Sequence, residues 1–90
     1  MPENLNIEGI VRHVAEAIIG ELKLEDVTAD TFNPDMDLIE ELGIDSMDLA
    51  TIALVLQDDY KIVINEDDYP KLKTIRSIAD YIKEKLEKRS

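Results

Sequence analysis

The sequence of 90 residues contains no cysteine and no tryptophan, and it has a single histidine, His13. The absence of cysteine excludes a disulfide framework, a thiolate metal site and a cysteine nucleophile. A lone histidine between the apolar positions of a predicted helix is expected at the surface or boundary, not in a Ser-His-Asp arrangement. We therefore predict that the chain has no catalytic residue and is not an enzyme.

The sequence also lacks any apolar run long enough to span a bilayer. Its first four residues are polar and acidic, unlike a secretory signal. A chain of this length can bury one hydrophobic core but does not divide into two domains. We predict a single domain over residues 1–90 that is soluble, monomeric and cytoplasmic.

Basic residues are missing from the middle of the chain. Residues 24–60 include eleven acidic residues and no lysine or arginine, and the net charge of the whole chain is -11. This charge excludes nucleic acid as a partner, because phosphate binding needs clustered lysine and arginine. Two interpretations remain: the acidic segment is a solvated face that favours solubility, or it is a surface on which basic partners dock.

The acidic residues do not match a calcium-binding loop. In an alignment with an EF-hand loop, Asp35 and Asp37 match the first two ligands, but Ile39 replaces the third. Glu40 stands where glycine is needed, and Met47 replaces the closing glutamate. We therefore predict no metal site in the chain.

Apolar residues recur at three- and four-residue steps, which predicts helices. The predicted helices cover residues 7–22, 46–59, 66–71 and a last segment that begins after Thr74. Residues 61–64 resemble a strand but have no second strand to pair with, so they are predicted to form an extended connection. The predicted fold class is all-α: a small antiparallel four-helix bundle, with three longer helices, a short third helix and a long loop between helices 1 and 2.

Local signals predict how these elements begin and end. Asn4 or Asn6 is predicted to open the first helix, and Asn65 to cap the short third helix, whose length Pro70 limits. The long loop over residues 24–44 is expected to contain a helical turn near residues 36–42. The side chains predicted to pin this loop to the core are Val27, Phe32, Leu38, Ile39 and Leu42.

Ser46 lies at the predicted start of the second long helix, directly after Asp45. If Asp45 is the N-cap, Asp48 occupies the acidic position of a capping box, and Ser46 becomes the first helical residue with an unused hydroxyl. Gly43, just upstream, allows a sharp turn into the helix. Alternatively, Ser46 is itself the N-cap and has no further role.

The second long helix has two apolar faces. The stripe suited to burial consists of Leu49, Ile52, Ala53, Leu56 and Tyr60. A second set, Met47, Ala50 and Leu54, falls on a different face. This second set either packs into the core on another side of the helix or forms an exposed apolar strip flanked by acidic residues.

Residues 38–49 have the sequence LIEELGIDSMDL, which resembles the attachment motif of the acyl carrier proteins and related phosphopantetheine-binding domains. In that family an Asp-Ser-Leu triplet after a Leu-Gly pair opens the second helix, and here the triplet is Asp45-Ser46-Met47. The similarity continues through residues 58–60, 64–68 and 74–82. It therefore covers roughly residues 7–86.

The resemblance implies that a phosphopantetheinyl transferase moves 4′-phosphopantetheine from coenzyme A onto Ser46, with Asp45 able to contact the Mg²⁺ of that reaction. The arm ends in a thiol that carries acyl groups as thioesters. The implied function is an acyl carrier that serves enzymes of fatty acid, specialised lipid or polyketide synthesis. Two alternatives stay open: an acidic helical module for protein interaction, and a carrier of an aminoacyl group.

The resemblance also implies that acyl-transferring and chain-building enzymes dock basic patches on the acidic second helix. Carried onto this sequence, the docking residues are Met47, Asp48, Ala50, Thr51, Leu54, Gln57, Asp58 and Glu66. Fatty-acid members of the family commonly have Glu in place of Thr51 and Leu in place of Met47. The loop before the motif is also longer here, and Pro70 is unusual in the short helix. These differences predict a specialised carrier with its own partners.

Overall fold

The computed structural model describes residues 6–89, which form an all-α bundle. Its elements are α1 (Ile7–Leu22), α2 (Leu38–Leu42), α3 (Ser46–Tyr60), a 3₁₀ helix (Glu66–Lys71) and α4 (Ile75–Arg89). No strand occurs in this described range, and residues 62–65 connect two helices without forming a ladder, as predicted. The helical turn expected in the long loop is α2, which adds a fifth helical segment to the four predicted.

The core of the bundle lies where α1 meets α3 and α4. α1 begins at the predicted place because the Asn6 Oδ1 accepts a hydrogen bond from the Gly9 N–H at 2.8 Å. The other candidate cap, Asn4, lies outside the described residues. The three long helices bury one apolar cluster, which includes Ile10, Val14, Ile18, Leu49, Ile52, Ala53, Leu56, Tyr60, Ile75, Ile78 and Ile82.

Four of the five side chains predicted to pin the long loop between α1 and α2 contact the core. Phe32 and Leu38 are buried, and Val27 and Leu42 are half-buried against the same core. The prediction for Ile39 is wrong, because its side chain is 42% exposed. Residues four positions apart lie on the same face of a helix, so Leu38 and Leu42 both occupy the inner face of α2. Ile39 falls on another side of this short helix.

The short third helix covers the predicted residues and has Asn65 at its N-cap position, but it is a 3₁₀ helix and the Asn65 side chain does not cap it. Asn65 occupies the cap position without a side-chain hydrogen bond to the helix. Its backbone oxygen instead accepts the Asp68 N–H at 3.0 Å. Pro70 lies inside the segment and has no N–H to donate, and such short segments favour the tighter i→i+3 pattern.

Two glycines should respond in opposite directions to replacement by alanine. Gly20 lies within α1, and no neighbouring atom lies within 4 Å of the place that an alanine methyl group would take, so Gly20→Ala should raise the free energy of unfolding by about 0.5–1 kcal/mol. Gly43 has a φ of 67°, a left-handed conformation that is unfavourable for a residue with a Cβ atom. Gly43→Ala should therefore lower the free energy of unfolding by about 1 kcal/mol. Urea unfolding of both variants measures the two changes, and a shift of the same sign in both would contradict this account.

The end of α3 joins α1 through an aromatic contact. His13 packs edge-on against Tyr60 with ring centroids 5.2 Å apart, and its Nε2 lies 2.9 Å from the Asp59 Oδ2. His13 is therefore a boundary residue, as predicted. Tyr60 is buried, and this burial, together with the charge of Asp59, raises the pKa of its hydroxyl to about 12.

The raised pKa of Tyr60 predicts a loss of stability in alkaline solution. The unfolded chain releases this proton near the ordinary tyrosine pKa of about 10, whereas the folded chain keeps it until about 12. The free energy of unfolding should therefore fall as the pH rises from about 10 to 12, by up to about 2–3 kcal/mol from this group. Urea unfolding across this range should show a smaller fall for Tyr60→Phe, and equal slopes would contradict the prediction.

Candidate functional site

Asp45, and not Ser46, caps the start of α3. The Asp45 backbone is extended, and its Oδ1 accepts a hydrogen bond from the Asp48 N–H at 2.9 Å. Ser46 is therefore the first helical residue, and the alternative in which Ser46 is the N-cap is wrong. The Ser46 side chain is exposed, and its hydroxyl makes no hydrogen bond within the described range. This hydroxyl is available for covalent modification.

The turn before α3 places Ser46 close to α2. Gly43 ends α2 in a left-handed conformation, and its N–H bonds to the Ile39 oxygen at 3.0 Å. Ile44 is then buried, which anchors the connection to the core. Because only residues 43–45 separate the two helices, the end of α2 and the start of α3 form one corner that carries Ser46.

The second apolar set on α3 is exposed. Met47 is 78% exposed and Leu54 is 62% exposed, while Ala50 between them is half-buried. The interpretation that this set packs into the core is therefore wrong, and the exposed-strip interpretation holds. Residues separated by three and four positions share one helix face, so Met47, Ala50 and Leu54 form an apolar strip along the outer side of α3, with Thr51 beside it.

Most of the predicted docking residues are accessible along or beside this strip. Thr51 is exposed and its hydroxyl donates to the Met47 oxygen at 3.1 Å. Asp58 and Glu66 are exposed at the far end of α3 and the start of the 3₁₀ helix, whereas Asp48 is half-buried. Gln57 differs, because it is half-buried and its Oε1 accepts the Ile64 N–H at 2.7 Å. Gln57 therefore stabilises the connection after α3.

A surface groove beside Ser46 was not predicted from the sequence. The groove has a volume of about 300 Å³ and is lined by Ile39, Ile44, Asp45, Ser46, Leu49, Tyr69 and Pro70. It lies where α2, the start of α3 and the 3₁₀ helix meet, so its walls come from three separate elements. From the sequence, Pro70 was linked to the length of the short helix and to a specialised carrier, but not to a groove beside Ser46.

The described residues contain no grouping of three or more side chains suited to holding a metal ion. None of the helices within residues 6–89 has the length and apolarity needed to cross a membrane. The region around Ser46 combines an exposed hydroxyl, a helix start and an apolar groove.

Known proteins share this sequence pattern and fold. A family model described as a phosphopantetheine attachment site matches residues 12–82. An acyl carrier protein from Syntrophus aciditrophicus is 34% identical over 70 residues, which cover 78% of this chain and 84% of that protein. An acyl carrier protein from Nitratidesulfovibrio vulgaris (strain Miyazaki F) is 32% identical over 59 residues, covering 66% of this chain and 78% of that protein. A solved acyl carrier protein from Enterococcus faecalis superimposes with a TM-score of 0.71 at 25% identity, covering 89% of this chain and 98% of that chain.

Proposed function

Because this chain belongs to the acyl carrier proteins, the non-catalytic carriers with a phosphopantetheine attachment site, we propose that Ser46 is the residue that accepts the 4′-phosphopantetheine arm. The observation that carries this proposal is the exposed Ser46 hydroxyl, which makes no hydrogen bond within residues 6–89. Ser46 also lies within the residues that the family model matches.

The surroundings of Ser46 suit a phosphate group. The positive end of the α3 dipole and the free N–H groups of its first turn favour a negative charge at this position. They offset part of the repulsion from Asp45 and Asp48. Asp45 caps the helix through Oδ1 alone, so its other oxygen can contact the Mg²⁺ of a transferase. When bound, the arm supplies a thiol on which acyl groups are held as thioesters.

The apolar strip and the acidic residues near it form the proposed docking surface. Met47 and Leu54 supply apolar contact area, and the exposed carboxylates of Asp58 and Glu66 attract basic patches. The partners are a phosphopantetheinyl transferase and the acyl-transferring and chain-building enzymes of one pathway. Thr51 and Met47 favour a specialised lipid or polyketide pathway over general fatty acid synthesis, in a monomeric, cytoplasmic carrier.

Intact mass spectrometry tests the attachment. The full chain is co-expressed with a broad-specificity phosphopantetheinyl transferase, and we expect a gain of one phosphopantetheine, located on the peptide that contains Ser46. Because the chain has no cysteine, a thiol assay on the purified protein reports the arm alone. A protein that gains neither mass nor thiol, or that is modified on another peptide, would contradict the proposal.

A further inference from the structure

Hydrogen-bonding groups are scarce in the groove beside Ser46. Its hydrocarbon lining consists of Ile39, Ile44, Leu49 and Pro70. Asp45 and Ser46 also line it, but Asp45 caps α3 and Ser46 is the proposed attachment residue. Tyr69 is therefore the remaining lining residue whose side chain can form a hydrogen bond with a ligand.

The three tyrosines of the chain differ in their surroundings. Tyr60 is buried in the core, and the Tyr81 hydroxyl donates to the Asp68 Oδ2 at 2.6 Å. Tyr69 is half-buried against the core, and its hydroxyl makes no hydrogen bond with any residue of the described range. Because a tyrosine hydroxyl that loses water needs another partner, Tyr69 is suited to bind a ligand that enters the groove with a polar atom.

The groove is open to solvent, so its size limits the part of a ligand that it can cover. A volume of about 300 Å³ holds roughly ten non-hydrogen atoms if each takes about 30 Å³, the share of one water molecule. Pro70 forms part of the wall, and its ring restricts its own backbone and that of Tyr69 before it. A long hydrocarbon chain exceeds this space. A purely hydrocarbon group seated there also offers no hydrogen-bond partner to the Tyr69 hydroxyl.

We propose that Tyr69 determines the cargo of this carrier, by donating a hydrogen bond to a hydroxyl or keto oxygen on a short acyl group in the groove beside Ser46. This inference rests on the proposed function, because it takes Ser46 as the attachment residue. Tyr69 acts here as a specificity-determining residue and takes no part in attachment.

The test compares two cargoes that differ by one hydroxyl group. Wild type, Tyr69→Phe and Tyr81→Phe are loaded with butyryl or 3-hydroxybutyryl arms by the same transferase from the matching coenzyme A thioesters, and intact mass confirms loading. The half-life of each thioester in hydroxylamine is then measured and divided by that of the free coenzyme A thioester. In wild type the 3-hydroxybutyryl thioester should be protected about fivefold more than the butyryl thioester, the size expected for one hydrogen bond in competition with water.

Tyr69→Phe should remove this difference while leaving the butyryl half-life unchanged, and the matched control Tyr81→Phe should retain it. The butyryl half-life shows that the groove of each variant is still formed. Equal protection of the two cargoes in wild type, or the same difference in Tyr69→Phe, would overturn the inference while the attachment at Ser46 stands. A lack of loading in wild type would instead overturn the proposed function, and this inference with it.

Discussion

Replacement of Ser46 by alanine is expected to abolish the gain of phosphopantetheine completely while the fold is retained. The Ser46 Oγ is the atom that would form the phosphodiester, and alanine offers no oxygen in its place. The fold should change little because Ser46 is exposed, while the Asp45 side chain continues to cap α3. Intact mass after co-expression with the transferase measures the gain, and urea unfolding should show a change within about 0.5 kcal/mol.

A second serine provides the matched control for this result. Ser77 lies near the start of α4, and its Oγ accepts a hydrogen bond from the Thr74 hydroxyl at 2.9 Å. Ser77→Ala should therefore gain one arm like wild type. If Ser46→Ala still gained one arm, Ser46 would not be the attachment residue, and α3 would begin with a serine of no covalent role.

Removal of the two large apolar side chains from the strip on α3 should weaken docking strongly. Met47 and Leu54 are the most exposed large apolar residues of α3, and their truncation in the Met47→Ala/Leu54→Ala variant removes contact area from any partner seated there. We expect a loss of about 2–3 kcal/mol in transferase binding, or a roughly 30- to 100-fold lower kcat/KM for arm transfer. Alanine favours the helix, so the fold itself should be retained.

Val63 provides a control of the same chemistry outside the strip. It is 67% exposed in the connection between α3 and the 3₁₀ helix, and Val63→Ala should leave kcat/KM near the wild-type value. The loss in the double variant should persist at high salt because it is apolar, whereas the contribution of Asp58 and other exposed carboxylates should shrink as salt screens it. An unchanged kcat/KM in the double variant would show that partners dock on another surface.

Much of the fold follows from local pattern. The apolar spacing predicted α1 and α3 almost to the residue, because one buried stripe on a helix repeats every three to four positions. The predictions were wrong where a side chain had two comparable choices. Asn65 could cap through its side chain or leave the backbone to close a 3₁₀ turn, and Ile39 could face either side of a helix of five residues.

The surroundings of the candidate site were less predictable than its central residue. Gln57 was expected at the docking surface, but its side chain accepts a hydrogen bond from the Ile64 N–H, seven residues further along the chain. The sequence did not determine whether Met47 and Leu54 are exposed, because a helix that is apolar on two sides can be interior or can present a docking strip. Only the tertiary packing decided between these two possibilities, because α1 and the 3₁₀ helix contact other sides of α3 and leave this face exposed.

The sequence by itself determined the base-free acidic segment and the family of the chain. It left two candidates for the cap of α3, Asp45 and Ser46, because either side chain can accept the local hydrogen bond, and the structure identified Asp45. The groove beside Ser46 exists only in the tertiary structure, since its walls combine Ile39 of α2 with Tyr69 and Pro70 of the 3₁₀ helix. Residues thirty positions apart come together only when the whole core forms, so no local pattern could place Tyr69 beside Ser46.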